Sequence, residues 1–310
     1  MTKKLNTDYA LITGATSGIG YELCHLFASD DYNLVLVARS EERLQQVAEE
    51  IGIQYGVQVY ILAKDLFKST AAKEIYDELK QKGITVTALV NDAGQGEYGY
   101  FANTDLEREL DIIQLNVISV VALTKYFLKD MIIKNEGRIL NVASLVSDYP
   151  SPLLAVYAGT KAFVLSFSQA LSNELKDTNI TVTALQPGVT DTDFFFKAGE
   201  QNTVGYQEAE LAEPYDVARD GYKAMKKGKK KIVSGGKNKM KTFVSKLMPD
   251  MKLAASMRRN NEPADMIKKT ESNHEASKKE REMIQAAPDT YKGRDLASVG
   301  SEHRSMGGKP

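Results

Sequence analysis

Apolar residues in this chain come in short, nearly unbroken runs, separated by stretches where they recur every three or four positions. The run YALIT at Tyr9–Thr13 and those at 34–38, 57–62, 86–90, 138–142 and 181–185 are too short for helices. They are rich in branched side chains, so each predicts a strand. A shorter run at Lys231–Val233 extends the series to about seven. Between the runs, Ile19, Leu23, Leu26 and Phe27 repeat at helical spacing, and the same rhythm predicts helices over 41–51, 71–81, 105–134 and 156–176. Strands without polar alternation, each followed by a helix, predict a parallel sheet buried on both faces. Right-handed crossovers make that a doubly wound α/β sheet.

In such sheets ligands bind beyond the carboxyl ends of the strands, near the switch in strand order. The chemically suggestive segments all fall there. TGATSGIG (Thr13 to Gly20) follows the first strand and opens a helix, so Gly14, Thr16, Ser17, Gly18, Ile19 and Gly20 are candidate dinucleotide contacts. Gly14 allows a tight turn, Gly18 a close approach of a pyrophosphate, and Gly20 close packing of helix on strand. The glycine spacing is four then two, unlike the usual dinucleotide fingerprint. Arg39 directly follows the second strand, where an acid would bind the ribose hydroxyls of NAD. A guanidinium there suits a ribose phosphate, which favours NADP(H) over NAD(H). Asp65 and Leu66, after the third strand, could flank an adenine. NDAG after the fourth contributes Asn91, Ala93 and Gly94, and PGVTDT after the sixth contributes Pro187, Gly188, Val189 and Thr192. Asn116 is a polar residue inside an apolar helical stretch, either a satisfied buried amide or a functional one. Nothing in the spacing calls for a metal.

Tyr157 and Lys161 stand four apart in VYAGTKAF, with Ser144 upstream in NVASLVS. Residues at that spacing share one helix face. A nearby cation favours the phenolate, so Lys161 is expected to lower the tyrosine below its usual value of about 10 and make it an acid/base group. Alone, such a pair is weak.

Together with TGATSGIG, NDAG, Asn116 and PGVTDT, it resembles the short-chain dehydrogenase/reductase family in its single-domain branch, over roughly residues 5–235. The resemblance implies a Rossmann-type fold and a catalytic set of Asn116, Ser144, Tyr157 and Lys161. Tyr157 would be the proton donor or acceptor, and Ser144 would hold the substrate oxygen. Lys161 would bind the nicotinamide ribose and depress the Tyr157 pKa, and Asn116 would support a water leading to Lys161. The family usually has two asparagines where this chain has Asn91 and Asp92. An ionised carboxylate only accepts hydrogen bonds, so Asp92 must find donors or a proton.

Composition changes this picture at the C-terminal side. Of 310 residues with a formal net charge of −1, positions 223–259 carry +12, positions 260–310 are neutral and the rest carry −13. The domain reading is therefore 1–235 for the cofactor-binding body, 236–260 for a basic amphipathic segment broken at Pro249, and 261–310 for a disordered polar tail. A transient helix is expected around 276–287. The basic segment is expected to dock on the body. A membrane-surface contact through 226–259 is a weaker alternative, and nucleic acid is disfavoured beside an acidic body. Cys24 is the sole cysteine, the chain enters a strand at once, and no apolar run approaches a membrane span, so a cytoplasmic protein is expected.

The leading reading is an NADP(H)-dependent oxidoreductase interconverting a carbonyl and an alcohol. Its substrate is a small ketone or aldehyde with an apolar body, under a lid containing Phe194, Phe195 and Phe196. The resemblance implies a homodimer or homotetramer through the two long helices. The competing reading is a non-catalytic NADP-binding sensor or scaffold acting through the basic segment.

Overall fold

The computed structural model describes residues 8–245 and 248–264. Its strands are β1 (Tyr9–Thr13), β2 (Asn33–Ala38), β3 (Val59–Ala63), β4 (Val86–Asn91), β5 (Gly137–Val142), β6 (Ile180–Gln186) and β7 (Lys231–Val233). They form one seven-stranded sheet in the order β3-β2-β1-β4-β5-β6-β7, and every pairing is parallel. The chain runs outward from β1 through β2 to β3, then crosses back to lay β4 on the other side of β1. That reversal leaves a crevice at the carboxyl ends of β1 and β4.

Helices α1 (Gly18–Ser29), α2 (Glu41–Tyr55), α3 (Ala71–Gln81), α4 (Leu106–Ile113), α5 (Ser119–Lys134), α6 (Ala155–Glu174) and α9 (Pro214–Lys226) are the long elements around this sheet. Alternate strand residues feed opposite cores, as the pleat requires. Ala10 and Ile12 of β1 pack with Leu23 and Phe27 of α1, Leu44 of α2 and Tyr222 of α9. Leu11, between them, joins Ile75 and Leu79 of α3 and Phe127 and Met131 of α5. Such side chains each contribute about 1.5–3 kcal/mol on burial, and continuous burial on two faces explains the absence of polar alternation.

Several elements shift by a residue or two from the sequence expectation and α2 runs on to Tyr55; two differences have a clear local cause. β3 starts two residues late because Gly56, at φ +67°, caps α2 in the left-handed region. The long helix expected over 105–134 is interrupted by a π-turn at Gln114–Ile118, which joins α4 to α5 around Asn116. The joined helix Leu106–Lys134 is also long and apolar enough to cross a membrane by length and composition. This corrects the expectation that no such stretch exists. In this fold α5 packs on α3, β4 and β5.

Beyond β6 come the short α7 (Asp193–Ala198) and α8 (Val204–Gln207), and beyond β7 come α10 (Gly236–Ser245) and α11 (Asp250–Asn261). The basic segment is thus two helices divided at Pro249, the residue that precedes α11. Both belong to the same compact unit as the sheet. The tail beyond residue 264, with the helix expected around 276–287, lies outside the described residues.

Candidate active site

The glycine-rich turn after β1 is built on two left-handed positions, Gly14 at φ +72° and Gly18 at φ +56°. Ser17 precedes α1 without a side-chain cap, which leaves the Gly18 and Ile19 amides for a ligand. Thr13 welds this turn to the NDAG loop. Its hydroxyl donates to the Val90 carbonyl at 3.3 Å and accepts from the amides of Asp92 and Ala93 at 3.0 and 3.1 Å.

A cleft of about 990 Å³ runs along the carboxyl ends of the strands. At one end lie Arg39, Arg43, Lys64, Asp65 and Leu66. The Arg39 guanidinium sits 5.4 Å from the Phe67 ring centroid, a cation–π contact that orients it. Lys64 is paired with Glu74 at 3.2 Å and Glu78 at 3.6 Å. Among the described residues no carboxylate pairs with Arg39 or Arg43, which leaves two cations for an anionic ligand.

Toward the other end, α6 presents Tyr157 and Lys161, only 8% and 5% exposed. The Lys161 ammonium lies 5.9 Å from the Tyr157 ring centroid. It also lies beside Gly94, where a Cβ would stand 3.1 Å from Nζ and 3.3 Å from Asn116 Oδ1. Ser144 caps a 3₁₀ turn at Leu145–Asp148, and its Oγ accepts from the Val146 amide at 3.4 Å. Gln186 of β6 steadies that turn by donating to the Ser144 carbonyl at 3.0 Å and to Asp148 at 2.7 Å. Asp148 also pairs with Lys231 of β7 at 3.1 Å.

Burial governs the electrostatics. It pushes the Tyr157 phenol up, helped by the charge on Glu200, while a hydrogen bond with Ser144 opposes the rise. The expectation that Lys161 lowers this phenol is not met: burial sets the direction, and the opposing influence comes from Ser144. Lys161 itself is lowered to about 8 by burial, with Asp92 opposing. Asp92 is raised to about 7 by burial, opposed by Lys161 and by a hydrogen bond from the Gly20 amide. The carboxylate therefore does find a donor, and it sits where a Cβ on Gly14 would come within 2.9 Å of its Oδ2.

The cleft gathers Gly14, Thr16, Ser17, Gly18, Ile19, Arg39, Asp65, Leu66, Ala93, Gly94, Ser144, Tyr157, Lys161, Pro187, Gly188, Val189 and Thr192. Three candidates fall outside its lining. Asn91 belongs to a buried network, its amide nitrogen donating to Asn141 at 2.8 Å and Thr124 at 3.2 Å, which braces β4 against β5. Gly20 is buried against Asp92 and the Gly14 carbonyl. Asn116 accepts from the Gln95 amide at 3.0 Å and donates to the Gln95 carbonyl and to Thr160, so its amide ties α4–α5 to α6. The proposed lid is also corrected in part. Phe194 packs on Tyr157 with centroids 5.0 Å apart, but Phe196 is 77% exposed and points away.

Other lining residues were not named as site candidates one by one, although Glu200 falls in 191–206, a segment expected to line the pocket. Arg43 and Tyr149 line the cleft, and so do Glu200 between α7 and α8 and an apolar face of α10–α11 with Met240, Val244, Met248 and Leu253. Arg43 was legible as the second arginine of RSEER, four residues after Arg39. The α10–α11 face was visible as apolar residues among lysines, without a sign of where it pointed.

A model described as short chain dehydrogenase matches residues 8–203. Over 178 residues the chain is 39% identical to a very-long-chain 3-oxoacyl-CoA reductase of Laccaria bicolor, covering 56% of this chain and 52% of that protein. It is 37% identical over 185 residues to a 17-beta-hydroxysteroid dehydrogenase type 3 of Mus musculus, covering 58% of this chain and 59% of that protein. The chain thus spans about half the length of the curated relatives it matches. A short-chain dehydrogenase from Sphingobium yanoikuyae in complex with NADPH superposes with a TM-score of 0.67 at 29% identity, covering 73% of this chain and 86% of that one. A 7beta-hydroxysteroid dehydrogenase structure, at 23% identity and TM-score 0.73, shares the fold over 81% of this chain and 96% of its own. With the matched segment covering well over half of its length, this chain belongs to the short chain dehydrogenase family.

Proposed function

We propose that this protein is an NADPH-dependent reductase of ketones with an apolar body, with a 3-oxoacyl thioester as the substrate class its relatives suggest. The single observation that carries this reading is the convergence of Ser144, Tyr157 and Lys161 on one cleft that also holds the glycine-rich turn and the Arg39/Arg43 pair. The family binds a nicotinamide cofactor, and the residues present fit one. Gly14 and Gly18 leave the backbone bare, Gly18 and Ile19 open α1 at the cleft, and two arginines without a carboxylate partner among the described residues suit a ribose phosphate.

When bound, the nicotinamide supplies the hydride. The chain's own residues hold and protonate the other partner. Ser144 donates to the substrate oxygen, and Tyr157 delivers a proton to that oxygen as negative charge develops on it. Burial keeps the phenol protonated, so the proton that the substrate oxygen takes up is already on Tyr157. Lys161 is fixed by the Val142 carbonyl at 2.8 Å, so its ammonium faces the site without a flexible search. Phe194 covers the Tyr157 ring and keeps water from it. The apolar face of α10–α11 closes the far side and offers a surface for an acyl chain.

The test is NADPH oxidation with 3-oxoacyl-CoA substrates of graded chain length beside small ketones and aldehydes, using Tyr157→Phe as control. Activity rising with chain length in the wild type alone is the expected result. Wild type and control equally inactive on every substrate, while NADPH still binds, would end the enzyme reading and revive the sensor reading. A homodimer or homotetramer through α4–α5 and α6 belongs to the same proposal. It is supported by Leu106, Leu110, Ile118 and Phe163, which are large apolar residues exposed on those helices.

A further inference from the structure

Glu200 is a buried acid that the proposed chemistry at Tyr157 does not use. It follows Gly199, which turns the chain out of α7 at φ +80°. The residue is 6% exposed, and its side chain lines the cleft with Tyr157, Phe194 and Thr203. Its Oε1 has no hydrogen-bond partner, and among the described residues no cation pairs with it. Its backbone, by contrast, is fully committed. The amide donates to the Phe195 carbonyl at 3.0 Å, and the carbonyl accepts from the Thr203 amide at 3.0 Å and hydroxyl at 2.9 Å. The carboxyl is therefore held in place rather than swinging on a loop tip.

An unpartnered buried carboxyl destabilises a fold, because nothing replaces its lost hydration. An apolar side chain of similar size would serve the packing better. Its placement makes sense if a ligand supplies the missing partner. Burial raises the group to about 7, so a large share is uncharged near neutral pH and able to donate as well as accept. With no cation in reach, the group suits a neutral partner better than a charged one.

We propose that the Glu200 carboxyl forms a second polar subsite of the cleft, which takes an uncharged oxygen that the substrate carries away from its reacting carbonyl. This rests on the reductase reading above and deepens it. The thioester carbonyl of a 3-oxoacyl chain supplies such an oxygen close to the ketone, and a hydroxyl farther along an apolar ketone supplies the same chemistry from another place.

The experiment compares three probes of equal chain length on the full-length protein with NADPH. They are a 3-oxoacyl N-acetylcysteamine thioester, a ketone with a hydroxyl at its far end, and a plain ketone. The wild type is expected to prefer an oxygen-bearing probe over the plain ketone. In Glu200→Leu that preference in kcat/KM shrinks about tenfold, the worth of one buried hydrogen bond, and the change lies in KM. Glu200→Gln keeps the preference within about threefold, because an amide also donates and accepts. Whichever oxygen-bearing probe loses its advantage identifies the oxygen that is bound.

Equal losses on all three probes, or an unchanged preference in Glu200→Leu, would overturn the subsite. So would an amino-ketone of the same length, added as a fourth probe, if the wild type preferred it over the hydroxy-ketone, since that marks a site for charge. Melting temperature and NADPH affinity separate misfolding from lost recognition, and the near-isosteric glutamine variant carries the test if the leucine variant does not fold. Should the wild type turn over none of the probes, the reductase reading fails by itself. The same preference read as ligand-induced melting shifts of the NADP⁺-bound protein then decides the role of Glu200.

Discussion

The Lys161 ammonium donates to the main-chain carbonyl of Val142 at 2.8 Å, which ties the helix that carries Tyr157 to the strand that leads to Ser144. One bond thus registers the proposed proton donor against the proposed oxygen binder. Lys161→Met leaves the Val142 carbonyl unpaired and removes the cation, so kcat/KM is expected to fall by roughly 10²-fold or more. NADPH affinity should fall about tenfold with it, since a charged hydrogen bond to the cofactor is lost as well. Tyr157→Phe is expected to separate the two effects. Its kcat falls on the order of 10²–10⁴-fold, while NADPH affinity, measured by fluorescence titration, stays within about threefold. A lysine variant that binds NADPH as tightly as the wild type would confine Lys161 to positioning.

Asp92 faces Lys161, and each opposes the other's loss of charge. Asp92→Asn removes the anion, so Lys161 is expected to fall below about 8 and lose its proton at lower pH. If the ammonium is needed, the alkaline limb of the kcat/KM profile moves toward neutral pH, and a profile from acid to alkaline pH reads this directly. Stability carries a second sign. Asp92 is raised from 3.8 to about 7, so the folded state favours the protonated acid and its contribution is lost as pH rises through that window. Asp92→Asn escapes this loss, so its melting temperature relative to wild type should be more favourable above pH 7 than below pH 4. A difference that does not change with pH would show that the carboxyl is not desolvated.

Arg39→Ala is expected to weaken NADPH at least tenfold while changing NADH less than threefold, since only the phosphate loses a charge-assisted partner. Arg43 lines the same end of the cleft, so the double variant Arg39→Ala/Arg43→Ala should erase the remaining discrimination. Equal losses for both cofactors would show that neither guanidinium meets a phosphate.

How much of this was legible in the sequence depends on the range of the interaction involved. The strands were legible because a sheet buried on both faces imposes Val/Ile/Leu runs, and β1, β7 and α3 fall on their expected boundaries. Tyr157 and Lys161 were legible because helical spacing alone puts them on one face. The committed partners of Asn91 and Asn116 were not, since those amides answer to Asn141, Thr124, Gln95 and Thr160, residues distant in the chain. Nor did the sequence reveal the direction of the Tyr157 shift. It follows from the burial of this phenol, which Phe194 helps to cover, and a neighbouring cation four residues away says nothing of that. The π-turn at Asn116 left no local signal either, because it adds one residue to a helix whose apolar rhythm continues through it.

Two glycines of the site respond oppositely to a methyl group. At Gly20 a Cβ would stand 2.4 Å from the Gly14 carbonyl oxygen and 2.6 Å from Asp92 Oδ2. Backbone cannot yield as a flexible side chain can, so Gly20→Ala is expected to destabilise the protein by roughly 1–3 kcal/mol. It should also displace the glycine-rich turn and weaken NADPH. Gly159 lies between Tyr157 and Lys161 on the exposed side of α6, and a Cβ there meets nothing within 4 Å. Gly159→Ala removes backbone freedom from the unfolded chain and strengthens the helix, so it should stabilise by about 0.5–1 kcal/mol. Thermal melting of both variants, with NADPH titration alongside, reads the contrast. A destabilised Gly159→Ala would mean that this face of α6 is covered in solution.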